Sequence, residues 1–307
     1  MVQTLESPAT TALDDIPVRF RWRALLSLLR PRHWIKGAPV LVAPLVTAPV
    51  AAAGHAAPLG LTLAAFLAAS STVYVLNDLR DRDADRLHPV KRLRALPSGR
   101  VTVRAATLLL VVLAGITAAL LTLLPLVVAG VVGAYVAVNV WYSLALKHQP
   151  LVDVSVVAAG FVLRALAGTV AAGLPVRPFL LICVYCACVA LSLGKRRHEL
   201  AMVGDAHRSA LSAYSVPFLD HVVVVNLVVA LAGYVAFLWG LASPYGAVAT
   251  VVTFPFATFT IYRYLQMVMV DRSGGDPVVD LVRDGPMRAG AGLWAAALAA
   301  VLIASAL

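Results

Sequence analysis

Charge is scarce in this chain: only 13% of its 307 residues are Asp, Glu, Lys or Arg, and just 15 are acidic. A soluble domain is about one quarter charged, so an ordinary globular protein is excluded, and so is a polar disordered chain. Cysteine is scarce too. Cys183, Cys186 and Cys188 all lie in one apolar run, which gives no disulfide framework and no complete zinc set. P-loop, Rossmann glycine fingerprint, nucleophile elbow and His-Glu-x-x-His are all missing. What abounds is apolar surface: 61% hydrophobic residues and a mean hydropathy of +0.88. The net charge of +10 then needs no nucleic acid, because cytoplasmic loops of membrane proteins are rich in Lys and Arg. The chain reads as an all-α integral membrane protein.

A crossing helix needs about 20 apolar residues. A first, short span is expected over 37–53, interrupted by Pro39, Pro44 and Pro49, and a second over 59–76. No charge occurs from Ala105 to Leu146, a stretch too long for one helix, and Pro125 divides it into two antiparallel spans. Further runs cover 154–173, 178–194, 222–242, 246–270 and 289–307, giving nine transmembrane helices. Residues 1–29 form a polar tail and interfacial segment, and 30–307 the nine-helix catalytic domain.

With the N-terminus inside, all but three of the 25 Lys and Arg fall in inner segments. Of the three, Arg177 lies outside and Arg164 and Arg263 lie within spans. The N-terminus is therefore expected in the cytoplasm and the C-terminus outside, in a multi-pass plasma-membrane protein. Apart from Glu6, Asp14 and Asp15 in the tail, every acid also falls at the inner face, which topology alone does not demand. The polar chemistry is expected at the cytoplasmic side.

That chemistry concentrates in Asn77-Asp78-Leu79-Arg80-Asp81-Arg82-Asp83-Ala84-Asp85, which continues an apolar helix. At about 100° per residue, Asn77, Asp81 and Asp85 share one face, with Asp78 beside them and Asp83 on another. Hard oxygen donors of this kind suit Mg²⁺, which bridges carboxylates to substrate phosphates. The bland alternative is a solvated loop whose acids neutralise Arg80, Arg82 and Arg86. Cations follow at Lys91, Arg92, Arg94 and Arg100. They suit either the outer oxygens of a metal-bound diphosphate or lipid headgroups.

Asn77-Asp78-x-x-Asp81-x-x-x-Asp85 followed by His88-Pro89-x-Lys91-Arg92 resembles the first aspartate-rich motif of the UbiA superfamily of intramembrane prenyltransferases. The resemblance covers residues 30–307 and implies a UbiA-like bundle with a cytoplasmic-facing site. It also implies a catalytic group of Asn77, Asp78, Asp81 and Asp85, with Mg²⁺ held by Asn77, Asp81 and Asp85. The superfamily's second aspartate-rich motif is replaced by Gly194-Lys195-Arg196-Arg197-His198-Glu199, with Asp205 further on. Three adjacent cations make a poor metal cradle and suit direct contact with additional phosphates, which argues against a prenyl diphosphate donor.

Arg30-Pro31-Arg32-His33-Trp34-Ile35-Lys36, Tyr142 to Gln149, Leu163 to Gly168, and Gly275-Asp276-Pro277 with Leu281 and Asp284 resemble the decaprenyl-phosphate phosphoribosyltransferases of that superfamily. This branch moves 5-phosphoribose from phosphoribosyl pyrophosphate to a polyprenyl phosphate in arabinan and cell-wall precursor synthesis. The resemblance implies substrate contacts at Arg32, Lys36, Lys91, Arg92, Arg94, Tyr142, Lys147, Arg164, Lys195, Arg196 and Glu199. Two positions depart from the branch's pattern: Arg94 is followed by Ala95 rather than proline, and Lys36 by Gly37 rather than asparagine. A different acceptor, an aromatic or quinone prenyltransferase, and a transporter remain as alternatives. The assembly is not fixed by the sequence; of homo-oligomers, a trimer is weakly favoured.

Two intramembrane arginines stand apart. Arg164 lies nearly three turns after Asp153 on the same face, and is expected either to anchor an anion or to pair with an acid or with helix carbonyls. Arg263 is close enough to the inner end of its span to snorkel.

Overall fold

The computed structural model describes residues 18–203, 213–241, 245–271 and 277–305. All the regular structure among them is helical. Eight helices are long and apolar enough to cross a membrane: α4 (Ala56–Arg80), α6 (Val103–Thr122), α7 (Leu126–Leu144), α8 (Val152–Ala171), α9 (Pro178–Val203), α10 (Val216–Trp239), α11 (Tyr245–Met269) and α13 (Gly285–Ala304). The chain is thus a multi-pass membrane protein.

The expected first span is not a ninth such helix. It is two short helices, α2 (Pro39–Thr47) and α3 (Pro49–Gly54), which meet at Ala48. Pro49 accounts for the break. Proline disfavours the helical conformation in the residue before it, and Ala48 has φ −159 and ψ 86. Pro125 performs the division expected of it, standing at the N-cap of α7 three residues after α6 ends. Helix α9 runs well past the expected 194, so Lys195, Arg196 and Arg197 all sit on helix. Three further short α-helices lie among the described residues: α1 (Val18–Leu28), α5 (Arg82–Leu87) and α12 (Pro277–Arg283).

The described chain divides into two compact units. The first comprises residues up to Lys36 and 64–123. Its core sets Ala24 and Leu28 of α1 against Val75, Ala95, Leu96, Val101, Ala106 and Leu113. The Ser71 hydroxyl donates to the Leu29 carbonyl at 3.3 Å, tying α1 to α4.

The second unit comprises 37–63 and 124–307. One core cluster gathers Val154, Ala190, Leu193, Leu219, Val223, Tyr264 and Val268 from α8 to α11. Another joins Tyr234, Phe237, Leu238, Ala249, Leu298 and Leu302. Here the Tyr234 hydroxyl lies 2.6 Å from Thr253 Oγ1 and accepts from Trp294 Nε1 at 2.9 Å. Helices α2 and α8 approach at Gly168, where any side chain would run into the Val40 backbone.

Candidate functional site

In the first unit the acidic motif lies where α4 passes into α5. Asp81 is the junction, with φ −87 and ψ 3, yet the helical ladder carries through it. The Asp81 amide donates to the Asn77 carbonyl at 2.9 Å, and the Asp85 amide to the Asp81 carbonyl at 2.8 Å. The one-face spacing of Asn77, Asp81 and Asp85 therefore survives the bend. Asp78 and Asp85 are buried, at 4% and 3% exposure. Asp83, assigned to another face, has an 83% exposed side chain and pairs with Arg82 and Arg86 at 3.1 and 3.5 Å. Asp83 fits the solvated-loop reading.

Buried carboxylates need positive partners, and here one comes from distant sequence and two from the loop just after α5. Arg30 donates to Asp78 Oδ1 at 2.5 Å and lies over the Tyr74 ring. Arg94 donates to Asp85 Oδ2 at 2.7 Å and stands 3.7 Å from Asp78. Lys91 Nζ is 3.6 Å from Asp85 Oδ1. The loop after α5 presents these cations because it is anchored from below. Ala95 and Leu96 are buried, the Val101 amide donates back to the Ala95 carbonyl at 3.0 Å, and Gly99 turns the chain at φ +78. Among the described residues no three His, Cys, Asp or Glu side chains are gathered as a metal cage; arginine and lysine face Asp78 and Asp85. The donor set is oxygen-only, the kind Mg²⁺ takes, and the ion pairs on Asp78 and Asp85 would compete with it. Arg32, Lys36 and Arg92 are exposed, and Arg30 reaches Asp78.

The second unit carries a cationic cluster at the C-terminal end of α9. Successive helical residues point about 100° apart, and Lys195, Arg196 and Arg197 accordingly part company. Lys195 is exposed. Arg196 donates to Asp153 Oδ2 and to Glu199 Oε2, each at 2.9 Å. Arg197 is buried at 7%, donates to Asp220 Oδ1 at 2.6 Å, and caps the end of α11 through the Val268 and Met269 carbonyls at 2.7 and 3.4 Å. Three adjacent cations were expected to face phosphate; Arg197 instead pins α9 to α10 and α11. Gly194, which opens this motif, leaves room for the Tyr264 hydroxyl.

Arg164 is buried at 5% and donates to the Gly160 carbonyl at 2.9 Å and to the Tyr135 hydroxyl at 2.8 Å, with its guanidinium over the Tyr135 ring. Of its expected partners the structure shows a helix carbonyl, and it adds a tyrosine that the sequence did not point to. Tyr142 and Lys147 are half-buried in and after the end of α7. Arg263 reaches Asp284 at 2.7 Å and Asp271 at 3.4 Å. Asp284 also caps α13 by accepting the Met287 amide at 2.7 Å. The Arg263 guanidinium and this amide hold the Asp284 carboxyl below its ordinary value. Asp205, Gly275 and Asp276 lie outside the described residues.

The chain is 30% identical to a decaprenyl-phosphate phosphoribosyltransferase of Corynebacterium glutamicum, over 89% of its own length and 86% of that protein's. It is 31% identical to the decaprenyl-phosphate phosphoribosyltransferase of Mycobacterium tuberculosis, over 91% and 94% respectively. A UbiA homologue from Archaeoglobus fulgidus, solved with GPP and Mg²⁺, shares the fold with a TM-score of 0.70. At 18% identity it covers 91% of this chain and 99% of its own. The UbiA prenyltransferase family profile matches residues 38–278. The chain belongs to the UbiA prenyltransferase family.

Proposed function

We propose that this protein transfers 5-phosphoribose from phosphoribosyl pyrophosphate to a polyprenyl phosphate, decaprenyl phosphate being the acceptor its relatives' names suggest. The observation that carries the proposal is the cationic character of the second cluster. Arg196 stands between Asp153 and Glu199, where a prenyl diphosphate enzyme would offer further carboxylates to metal.

Asn77, Asp81 and Asp85 would hold Mg²⁺, with Asp78 assisting; bound there, the ion neutralises charge on the leaving pyrophosphate. Lys91, Arg92 and Arg94 in the first unit bind phosphate oxygens, as do Lys195, Arg196 and Arg164 in the second, and Glu199 orients Arg196. Arg32, Lys36, Tyr142 and Lys147 complete the substrate contacts. The acceptor phosphate is already anionic at neutral pH, so its oxygen attacks the ribose anomeric carbon without a strong general base. The anomeric carbon–pyrophosphate bond breaks as the new bond forms, and a single displacement inverts the centre. Catalysis then rests on positioning and charge stabilisation. The α2–α3 pair counts as one crossing in this reading. That gives nine spans, a cytoplasmic N-terminus, and chemistry at the inner face, where the lysines and arginines concentrate.

The test is transfer from labelled phosphoribosyl pyrophosphate to decaprenyl phosphate by the purified protein with Mg²⁺. Label should enter the organic phase, and should fail to do so with EDTA or in Asp81→Asn. Transfer of a prenyl group to an aromatic acceptor instead would replace the donor assignment.

A further inference from the structure

The start of α8 is an unusual corner. Pro150, Leu151 and Val152 form a γ-turn in which the Val152 amide donates to the Pro150 carbonyl at 2.7 Å, with Leu151 at φ 64 and ψ −39. The γ-turn of positive φ is rare and strained, and leucine has no glycine-like freedom to relieve it. Strain of this kind persists only where its surroundings hold it. One holder is visible: the Leu151 amide donates to the Tyr214 hydroxyl at 2.5 Å. Tyr214 is 8% exposed, shares a core cluster with Val154, and stacks on Phe218 at 6.2 Å. Burial raises its pKa, so the phenol stays neutral and able to accept.

What the corner delivers lies two residues on. Asp153 is 2% exposed, accepts the Val154 amide at 2.8 Å with one carboxylate oxygen and Arg196 at 2.9 Å with the other. Its carboxylate direction is therefore set by the first turn of α8, which the γ-turn aims. Arg196, 17% exposed, is held on its other side by Glu199. A guanidinium recognises phosphate through a planar fork of donors, so its orientation decides its worth.

We propose that Tyr214 is a positioning residue for polyphosphate binding: by holding the strained turn at Leu151 it aims Asp153, and Asp153 fixes the fork of Arg196. This rests on the donor-binding role assigned to Arg196 above. It gives the connection between α9 and α10 a part in donor affinity that no motif in the sequence announces.

The experiment uses the full chain in nanodiscs with phosphoribosyl pyrophosphate as donor. Tyr214→Phe should raise the donor KM about fivefold, the worth of one neutral hydrogen bond, while kcat stays within about twofold. Leu151→Gly, which adopts positive φ without strain, should restore the KM of Tyr214→Phe and change little alone. In an Arg196→Ala background Tyr214→Phe should add nothing, because its target is gone. An unchanged donor KM with a lowered Tm, additive effects with Arg196→Ala, or no rescue by glycine would each overturn the proposal and leave the function reading intact. If the wild type turns over no phosphoribosyl pyrophosphate, that reading fails separately. The same variants are then titrated with inorganic pyrophosphate. The same pattern in Kd sustains the positioning role, and absence of binding by the wild type ends it.

Discussion

Removing Arg94 should make the protein less stable without metal and better at binding it. Arg94 sits 2.7 Å from Asp85 and 3.7 Å from Asp78, two carboxylates with side chains 4% and 6% exposed. Deleting one partner of a buried pair costs about 3–5 kcal/mol when nothing else compensates. Here Arg94 is 39% exposed, and Lys91 and Arg30 stay behind. The loss in Arg94→Ala should therefore be nearer a single charge-assisted hydrogen bond, about 1.5–2 kcal/mol. If Mg²⁺ binds these acids it must displace Arg94, so the same energy opposes metal binding in the wild type. The variant should bind Mg²⁺ about tenfold more tightly, at 1.4 kcal/mol per factor of ten. Thermal unfolding in detergent, in EDTA and across a Mg²⁺ titration, reads both effects. The variant should melt lower in EDTA, close most of the gap at saturating Mg²⁺, and reach its midpoint at lower metal concentration. Its transfer activity should still fall, since a phosphate-binding cation is gone. Equal Mg²⁺ midpoints and a constant gap in Tm would refute the competition and, with it, the assignment of Asp85 as a metal ligand.

Three further outcomes follow from the packing. Arg197→Ala strands Asp220 and the terminal carbonyls of α11, so it should cost about 3 kcal/mol in unfolding free energy. Arg197→Lys should recover only part of this, because one ammonium cannot copy the fork. Gly168→Ala would press a methyl group into the Val40 backbone, and an overpacked contact between rigid helices costs about 1–3 kcal/mol, seen as a lower Tm; Gly292→Ala, with open space around it, should be neutral. Asp284 has a depressed pKa in the folded state, so its contribution is present above the ordinary carboxylate value of 3.8 and lost as pH falls through the depressed one. Asp284→Asn should therefore be less stable than wild type near neutrality. The difference should shrink below pH 3.8, and a gap that instead widens on acidification would contradict the Arg263 pairing.

Periodicity served where one face decides the outcome. The separation of Asp83 from Asn77, Asp81 and Asp85 follows from helix geometry alone, and it survived a bend because backbone hydrogen bonds cross it. The division of the long uncharged stretch at Pro125 was legible for the same local reason. Hydropathy could not show that 37–53 breaks at Ala48, because apolar content says how much surface wants lipid and nothing of whether the backbone runs straight; Pro49 was the signal, and proline counts only once its position in the turn is known.

The partners of the charged groups were the illegible part. Arg30 meets Asp78 across 48 positions of sequence, and Arg196 meets Asp153 across 43; nothing periodic links such residues. A run of three cations looks uniform as letters, but a helix sends its members to three different fates, and Arg196 finds acids on both sides. What a sequence can supply there is a requirement rather than an answer. A buried Arg164 must find polar company, and Tyr135 is the company it found. The same requirement holds at Leu151, where a strained turn must be held by something. Tyr214, an aromatic letter in an unremarkable connection, becomes meaningful only when its hydroxyl is seen to accept that turn's amide.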